Sequence, residues 1–325
     1  MFHSMLTGEP SVDPLRWIAV VVVLVAVLVS FSIRASTLDV RGLASSAIFL
    51  LLFLFFMNRT AVVFGASGQL GVELVRELKN RQYAVTGWGR RQVDITDSAA
   101  VESALANSGA EVVFNAAAYN QVDVAEQEPQ AAILVNGLAV RNLAVACRQI
   151  DARLVHFSTD YVFDGRTRHP YVEDDPTHPL SAYAVSKLAG ELYAQAYLDR
   201  AIVVRTSGVY GPGGLTTARG NFVELMLRLA AAHQPIRVVE DHVASPTYAP
   251  LLAARTVDLV ERDLSGVFHI AGGFCNLLVS VRAVDLRTGR LSAALAGYQR
   301  TGISHCRGSV PGSPPSLTRR WSVSD

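Results

Sequence analysis

The stretch from Ala61 to Asn80 constrains this chain more than any other. Ala61 to Phe64 is a short apolar run. GASGQLG, Gly65 to Gly71, follows at once, and VELVRELKN then sets Val72, Leu74, Val75 and Leu78 at helical spacing. Strand, glycine turn and helix, in that order, give a glycine motif physical meaning. Gly65 allows the tight turn, Gly68 the approach of the backbone to a diphosphate, and Gly71 close packing of helix on strand. Backbone N–H groups and the positive end of the helix dipole then meet the phosphate. Gly65, Ser67, Gly68, Gln69, Leu70 and Gly71 are therefore the first candidates for holding a dinucleotide.

The next apolar run, Tyr83 to Thr86, leads into GWGRRQVDITD. An acidic side chain at that strand end would bind the ribose 2′-hydroxyl of NAD. Arg90 and Arg91 stand there instead, and a guanidinium suits the additional phosphate of NADP. NADPH is the expected cofactor and NADH the alternative, with solvated loop charges as the bland reading of both arginines. Glu111 to Asn115 reads as a third strand, and the small side chains of Ala116, Ala117 and Ala118 leave room for a cofactor beyond it. Pro129 to Ile150 is a long helical pattern whose Asn136 is either a bound polar group or a surface residue. Arg153 to Ser158 is a further strand. Strands alternating with helices predict an α/β fold with a parallel, doubly wound sheet.

That last strand delivers FSTDYVFDG, and a polar, proline-bearing loop then leads to SAYAVSK at the start of a helix. Tyr183 and Lys187 are four apart, so a helix sets them on one face. A free tyrosine titrates at about 10, and a nearby ammonium favours its phenolate. Hydroxyl, phenol and ammonium together make a proton-delivery site. The chemistry this suggests is hydride transfer to a ketone carbon, with Tyr183 protonating the developing alkoxide. Neighbouring side chains on a strand point to opposite faces, so only one of Ser158 and Thr159 faces such a pocket.

A net charge of +1 offers no basic stripe for a nucleic acid. Cys147, Cys275 and Cys306 are widely spaced and form no Cys-x-x-Cys, which disfavours a disulfide framework or a zinc site. Trp17 to Phe31 and Ala44 to Met57 are uncharged apolar runs, each somewhat short of the roughly 20 residues that span a bilayer. Two readings stand open: a two-span membrane hairpin through residues 17–57, or an over-extended start with the native protein beginning at Met57.

The Gly-x-x-Gly-x-x-Gly spacing resembles the extended branch of the short-chain dehydrogenase/reductase superfamily. GASGQLG, NAAAYNQVDVAE, VHFSTDYVFDG, YAVSKLAGE, RTSGVYG, GNFVELML and HVASPTYA stand in the order and spacing of dTDP-4-dehydrorhamnose reductases. The chain from Asn58 to about Gly273 is similar to that family. The resemblance implies a Rossmann-type sheet with a smaller C-terminal substrate lobe. It implies NADPH-dependent reduction of dTDP-4-dehydro-L-rhamnose to dTDP-L-rhamnose, for cell-surface polysaccharide. It makes Thr159, Tyr183 and Lys187 the catalytic triad and lays Asp94 and Ile95 against the adenine. It makes Thr159, Asp160, Asn221 and Phe222 the substrate-facing residues, Phe222 being equally readable as core. Sugar-nucleotide dehydratases of the superfamily carry Thr-Asp-Glu, whereas Tyr161 holds the third place here, which favours plain reduction.

The implied organisation is a hydrophobic extension over 1–57, a nucleotide domain over 58–205, a substrate-binding part over 206–275 and an atypical tail over 276–325. The tail carries seven Arg, no Lys and no Glu and is rich in Ser, Pro and Gly toward its end, so it is read as partly disordered and as an altered C-terminus. The acidic residues that some relatives use for a metal-linked dimer have no counterpart in it, and no metal site is expected. The expected partner is a nucleotide sugar. Membrane association, a homodimer and a cytoplasmic catalytic part complete the picture. The alternatives are another dTDP-4-keto-deoxysugar reductase, a non-catalytic regulatory relative of the fold, or an inactive tethered remnant.

Overall fold

The computed structural model describes residues 59–167, 169–216, 220–232, 234, 243–272 and 276–277. The apolar runs of 17–57, Asp241, His242, Cys275, Cys306 and the tail past Leu277 lie outside the described residues.

Six strands form one parallel sheet: β1 (Thr60–Phe64), β2 (Ala84–Trp88), β3 (Val112–Asn115), β4 (Arg153–Thr159), β5 (Ile202–Thr206) and β9 (Gly266–His269). Their spatial order is β2-β1-β3-β4-β5-β9, and every neighbouring pair is parallel. The chain reverses its winding between β1 and β3. A crevice at that switch point, past the carboxyl ends of the strands, is where open α/β sheets receive ligands.

Strand alternation divides the core into two layers. Val62, Phe64, Val113, Leu154 and Val203 face one side. There they meet α2 (Ser98–Ala106), α4 (Pro129–Gln149) and α5 (Ala182–Tyr197) through Val101, Leu105, Val140, Leu143, Cys147 and Ala194. Ala61, Val63, Phe114, Val155, Ile202 and Val204 face the other. They meet α1 (Gln69–Asn80) and α7 (Ala249–Glu261) through Leu74, Leu78, Leu252 and Val257. Helices on both faces make the fold doubly wound, as the alternating pattern predicts. A short helix, α3 (Val122–Ala125), lies between β3 and α4.

The helix starts are written in the sequence. Asp97 accepts from Ala100 N and Ser181 from Ala184 N, each side chain taking up a donor that the first turn leaves unpaired. Helix α6 (Phe222–Ala231) begins with a capping box in which Asn221 and Glu224 satisfy each other's backbone N–H. Helix α4 carries a π segment at Leu134–Leu138. Among the described residues it is the one helix long and apolar enough to cross a membrane, yet half of it is buried. Those of its buried residues that run from Ala139 to Cys147 belong to the sheet's core, whereas Ala132 packs with Ala125 and Tyr183.

Short strands complete the second half: β6 (Val209–Tyr210) pairs parallel with β8 (Thr247–Tyr248), and β7 (Val243–Ala244) pairs antiparallel with β10 (Asn276–Leu277). Two features differ from the boundaries read in the sequence. Helix α7 and strand β9 return to the main sheet after residue 206, and the first two residues of the stretch set apart as the tail pair with β7.

Candidate active site

The glycine turn is built for close backbone approach. Gly65 has φ +73°, and a Cβ there would lie 2.5 Å from the Ala117 nitrogen. At Gly71 a Cβ would lie 2.1 Å from the Gly65 carbonyl oxygen. Either substitution fills the cradle with carbon. Helix α1 starts at Gln69, so the first-turn N–H groups of Gln69, Leu70 and Gly71 have no acceptor within the helix. Ser67 is exposed at the turn's rim. This donor set fits a dinucleotide diphosphate.

Beyond β3, Asn115 Oδ1 accepts from Ala117 N at 3.2 Å, and its amide nitrogen lies 3.2 Å from His156 Nδ1. Ala116 to Ala118 therefore leave the strand in a fixed turn packed on Gly65. His156 is fully buried, and burial followed by the Lys187 charge pulls its pKa well down. Asn136 settles the two readings open for it. It is 1% exposed, accepts from Tyr119 N at 2.8 Å, and donates to Tyr119 O and Ser186 Oγ, both at 3.0 Å. It pins the loop after β3 to helix α5.

At the β2 end, Arg90 has 84% of its side chain exposed, and its Nε lies 3.1 Å from Asp94 Oδ2. Asp94 accepts from Thr96 N at 3.0 Å and Thr96 Oγ1 at 2.8 Å. The backbone hydrogen bond from Thr96 is the main cause of its depressed pKa, against the cost of burial. Ile95 is 5% exposed and packs in the sheet core. A hydrophobic side chain following a polar loop is ambiguous between ligand and core, and here the core holds it.

The strand β4 and helix α5 meet as their spacing predicts. Thr159 stands beside the buried Tyr183 hydroxyl and lowers its pKa. Thr159 also accepts from Tyr161 N at 3.2 Å and donates to Asp160 Oδ1 at 3.1 Å. Asp160 Oδ2 accepts from Ser207 Oγ at 2.5 Å. Ser158 faces the opposite way and donates to the buried Glu191. Of the two adjacent hydroxyls, Thr159 is the one beside the phenol.

The electrostatics differ from the sequence expectation in one respect. Burial, and then the Asp160 carboxylate, raises the Tyr183 pKa, while Thr159 lowers it. Lys187 is buried one turn further along the same helix. Its Nζ donates to the Phe157 carbonyl at 2.5 Å, and burial pushes its own pKa down to about 8 against the Glu191 charge. The phenol thus keeps its proton near neutral pH and is poised to donate rather than to accept. Tyr161 stands edge-on to the Tyr183 ring, with centroids 5.9 Å apart.

Glu191, Arg205 and Ser207 were not singled out in the sequence. Arg205 meets Glu191 through Nε at 3.1 Å and Nη2 at 2.8 Å, with both side chains buried. Glu191 follows Lys187 by four residues, and that helical spacing was the available signal. Asn221 caps α6, and Phe222, its first helical residue, is half-buried. Among the described residues no group of three or more His, Cys, Asp or Glu side chains is placed to hold a metal.

A parallel sheet, a glycine turn at its switch point and a Thr–Tyr–Lys cluster define an extended short-chain dehydrogenase/reductase. Within that class the chain belongs to the family described as RmlD substrate binding domain, whose profile matches residues 59–278. A dTDP-4-dehydrorhamnose reductase of Streptomyces griseus is 46% identical over 206 residues, 63% of this chain and 66% of that one, just under two thirds. A dTDP-4-keto-6-deoxy-D-glucose reductase of Streptomyces niveus is 41% identical over 212 residues, 64% of this chain and 71% of that one. Among solved structures, the dTDP-4-dehydrorhamnose reductase of Bacillus anthracis in complex with NADP is similar. The TM-score is 0.68 at 32% identity, covering 72% of this chain and 82% of that one.

Proposed function

We propose that this chain is an NADPH-dependent reductase that converts dTDP-4-dehydro-L-rhamnose to dTDP-L-rhamnose. The observation that carries the reading is Thr159 beside a buried, protonated Tyr183, with Lys187 on the same helix face and bonded to the Phe157 carbonyl. NADPH, when bound, supplies the hydride that reduces carbon 4 of the sugar. Tyr183 gives its proton to the alkoxide oxygen that this creates, and solvent later restores it. Thr159 donates to the same oxygen and holds the carbonyl in line. The Lys187 charge stabilises the phenolate left behind and can reach a ribose hydroxyl. Asp160, oriented by Ser207, faces the substrate with Phe222 and the α6 terminus.

Gly65, Ser67, Gly68, Gln69, Leu70 and Gly71 would hold the diphosphate, with Ala116 to Ala118 beside them. Arg90 is exposed enough to turn from Asp94 to a 2′-phosphate, and the NADP held by the Bacillus anthracis relative supports that choice. Asp94 and the Ile95 backbone would border the adenine. The reading puts the catalytic part in the cytoplasm, tethered to the membrane where residues 17–57 are retained, and allows a homodimer.

The test is NADPH oxidation by the full chain with dTDP-4-dehydro-L-rhamnose, with the product identified by NMR. Folded protein that binds NADPH without turnover overturns the proposal. The Streptomyces niveus relative favours one second reading, reduction of another dTDP-4-keto-deoxysugar, and the configuration of the product at carbon 4 separates the two.

A further inference from the structure

Gln69 belongs to the glycine turn, yet its side chain is engaged far along the chain. Its Nε2 donates to the Val209 carbonyl in β6 at 2.9 Å, and its Oε1 accepts from Asn221 Nδ2 at 2.9 Å. These partners lie 140 and 152 residues away in sequence. The orientation of both amides is dictated by chemistry. Asn221 Oδ1 is committed to Glu224 N at 3.0 Å as the helix cap. Its Nδ2 must then face outward, to Gln69 Oε1 and, at 3.3 Å, to Gly211 O. That leaves Gln69 Nε2 for Val209.

The contact is closely fitted. A Cβ at Gly214 would lie 2.4 Å from both Asn221 Nδ2 and Gln69 Oε1. At Gly213 it would lie 2.5 Å from the Gln69 carbonyl oxygen. The segment after β6 therefore lies on Gln69 with no room for a side chain. At the same time the Gln69 backbone N–H sits in the unpaired first turn of α1, where a diphosphate is received.

We propose that Gln69 is a positioning residue that fixes the substrate half of the site to the dinucleotide turn. Its backbone addresses the cofactor, while its side chain holds β6 and the start of α6, which carries Asn221 and Phe222. The inference rests on the reductase reading, because that reading places the sugar nucleotide against these elements. Ordering the turn with cofactor then orders the sugar site, so the two ligands bind cooperatively through this amide pair.

The test uses the full chain with Gln69→Met, which keeps length and removes both hydrogen bonds, and Asn221→Asp, which keeps the helix cap and removes the donor to Gln69. Each variant raises the sugar-nucleotide KM about tenfold, as expected for one or two lost hydrogen bonds. The NADPH KM rises less than the sugar-nucleotide KM, because neither substitution removes the Gln69 backbone N–H. The double variant is no worse than the more affected single one, because both remove the same contact. Calorimetry with dTDP as the probe shows tighter binding with NADP+ present, and Gln69→Met abolishes that gain.

A uniform fall in melting temperature with both KM values unmoved would make the contact merely structural and overturn the proposal. An equal rise in both KM values would overturn it too, by making Gln69 a cofactor ligand alone. If Asn221→Asp fails to fold, the KM split and dTDP coupling of Gln69→Met decide. An unaltered protein that neither turns over the sugar nucleotide nor binds dTDP overturns the reductase reading itself, an outcome distinct from these.

Discussion

Lys187 Nζ donates to the Phe157 carbonyl at 2.5 Å, tying the middle of helix α5 to the strand that ends in Thr159. The bond fixes where Tyr183, one turn earlier on the helix, stands against Thr159. It also holds an ammonium in the interior, where its charge is costly. Site geometry and electrostatic cost are thus set by one side chain.

Lys187→Met is expected to separate these two effects. The folded-state pKa of about 8 lies below the free value of 10.5. Below pH 8 both folded and unfolded chains hold the proton, and the fold carries the full cost of the buried charge. From 8 to 10.5 the unfolded chain still holds a proton that the native one has released, so stability rises with pH through that window. At about 1.4 kcal/mol per pKa unit the cost is up to about 3 kcal/mol, less about 1 kcal/mol for the lost hydrogen bond. The variant should be more stable at pH 7 by about 1–2 kcal/mol in urea denaturation, with turnover reduced at least about a hundredfold. A less stable variant would mean that the hydrogen bond outweighs the desolvation of the charge.

Tyr183→Phe removes the proposed proton donor and little else, because the ring keeps its edge contact with Tyr161. We expect kcat to fall by about 10²–10⁴ with NADPH affinity unchanged by fluorescence titration. Full activity in this variant would remove Tyr183 from the chemistry.

The sheet, its winding and the glycine turn were legible in the sequence because hydrophobic period and glycine spacing act locally. Strand β4 is buried along its whole length, and its residues Leu154, Val155 and Phe157 already form an apolar run. The pairing of Tyr183 with Lys187 was legible for the same reason, since helical geometry alone sets it. What the sequence did not reveal depends on contacts between distant segments. Asn221 and Gln69 lie 152 residues apart, and no periodicity points from one to the other. The raised Tyr183 pKa likewise follows from burial and from Asp160, while the local spacing argued for the opposite shift from Lys187.

Ser158 and Thr159 separate a structural hydroxyl from a chemical one. Ser158→Ala removes a donor to the buried Glu191, which keeps Arg205 as its counter-ion. The expected cost is about 1–3 kcal/mol of stability, with kcat reduced less than about threefold. Thr159→Val keeps the shape but removes the hydroxyl beside Tyr183, so kcat should fall about 10–100-fold at nearly unchanged melting temperature. If the two variants exchanged these phenotypes, Ser158 would be the residue facing the substrate.

Arg90 tests the cofactor assignment. Its side chain is 84% exposed and touches Asp94, so Arg90→Ala leaves the core intact and the fold should be unaffected. Losing a guanidinium that meets a 2′-phosphate should raise the NADPH KM about tenfold. NADH has no such phosphate, and its KM should move less than about twofold, which narrows the preference without creating a new NADH contact. High salt should weaken NADPH binding in the unaltered protein more than in the variant, because an exposed ion pair is screened. Equal rises in both KM values would show Arg90 acting on the turn as a whole, and no change in either would leave it a solvated partner of Asp94.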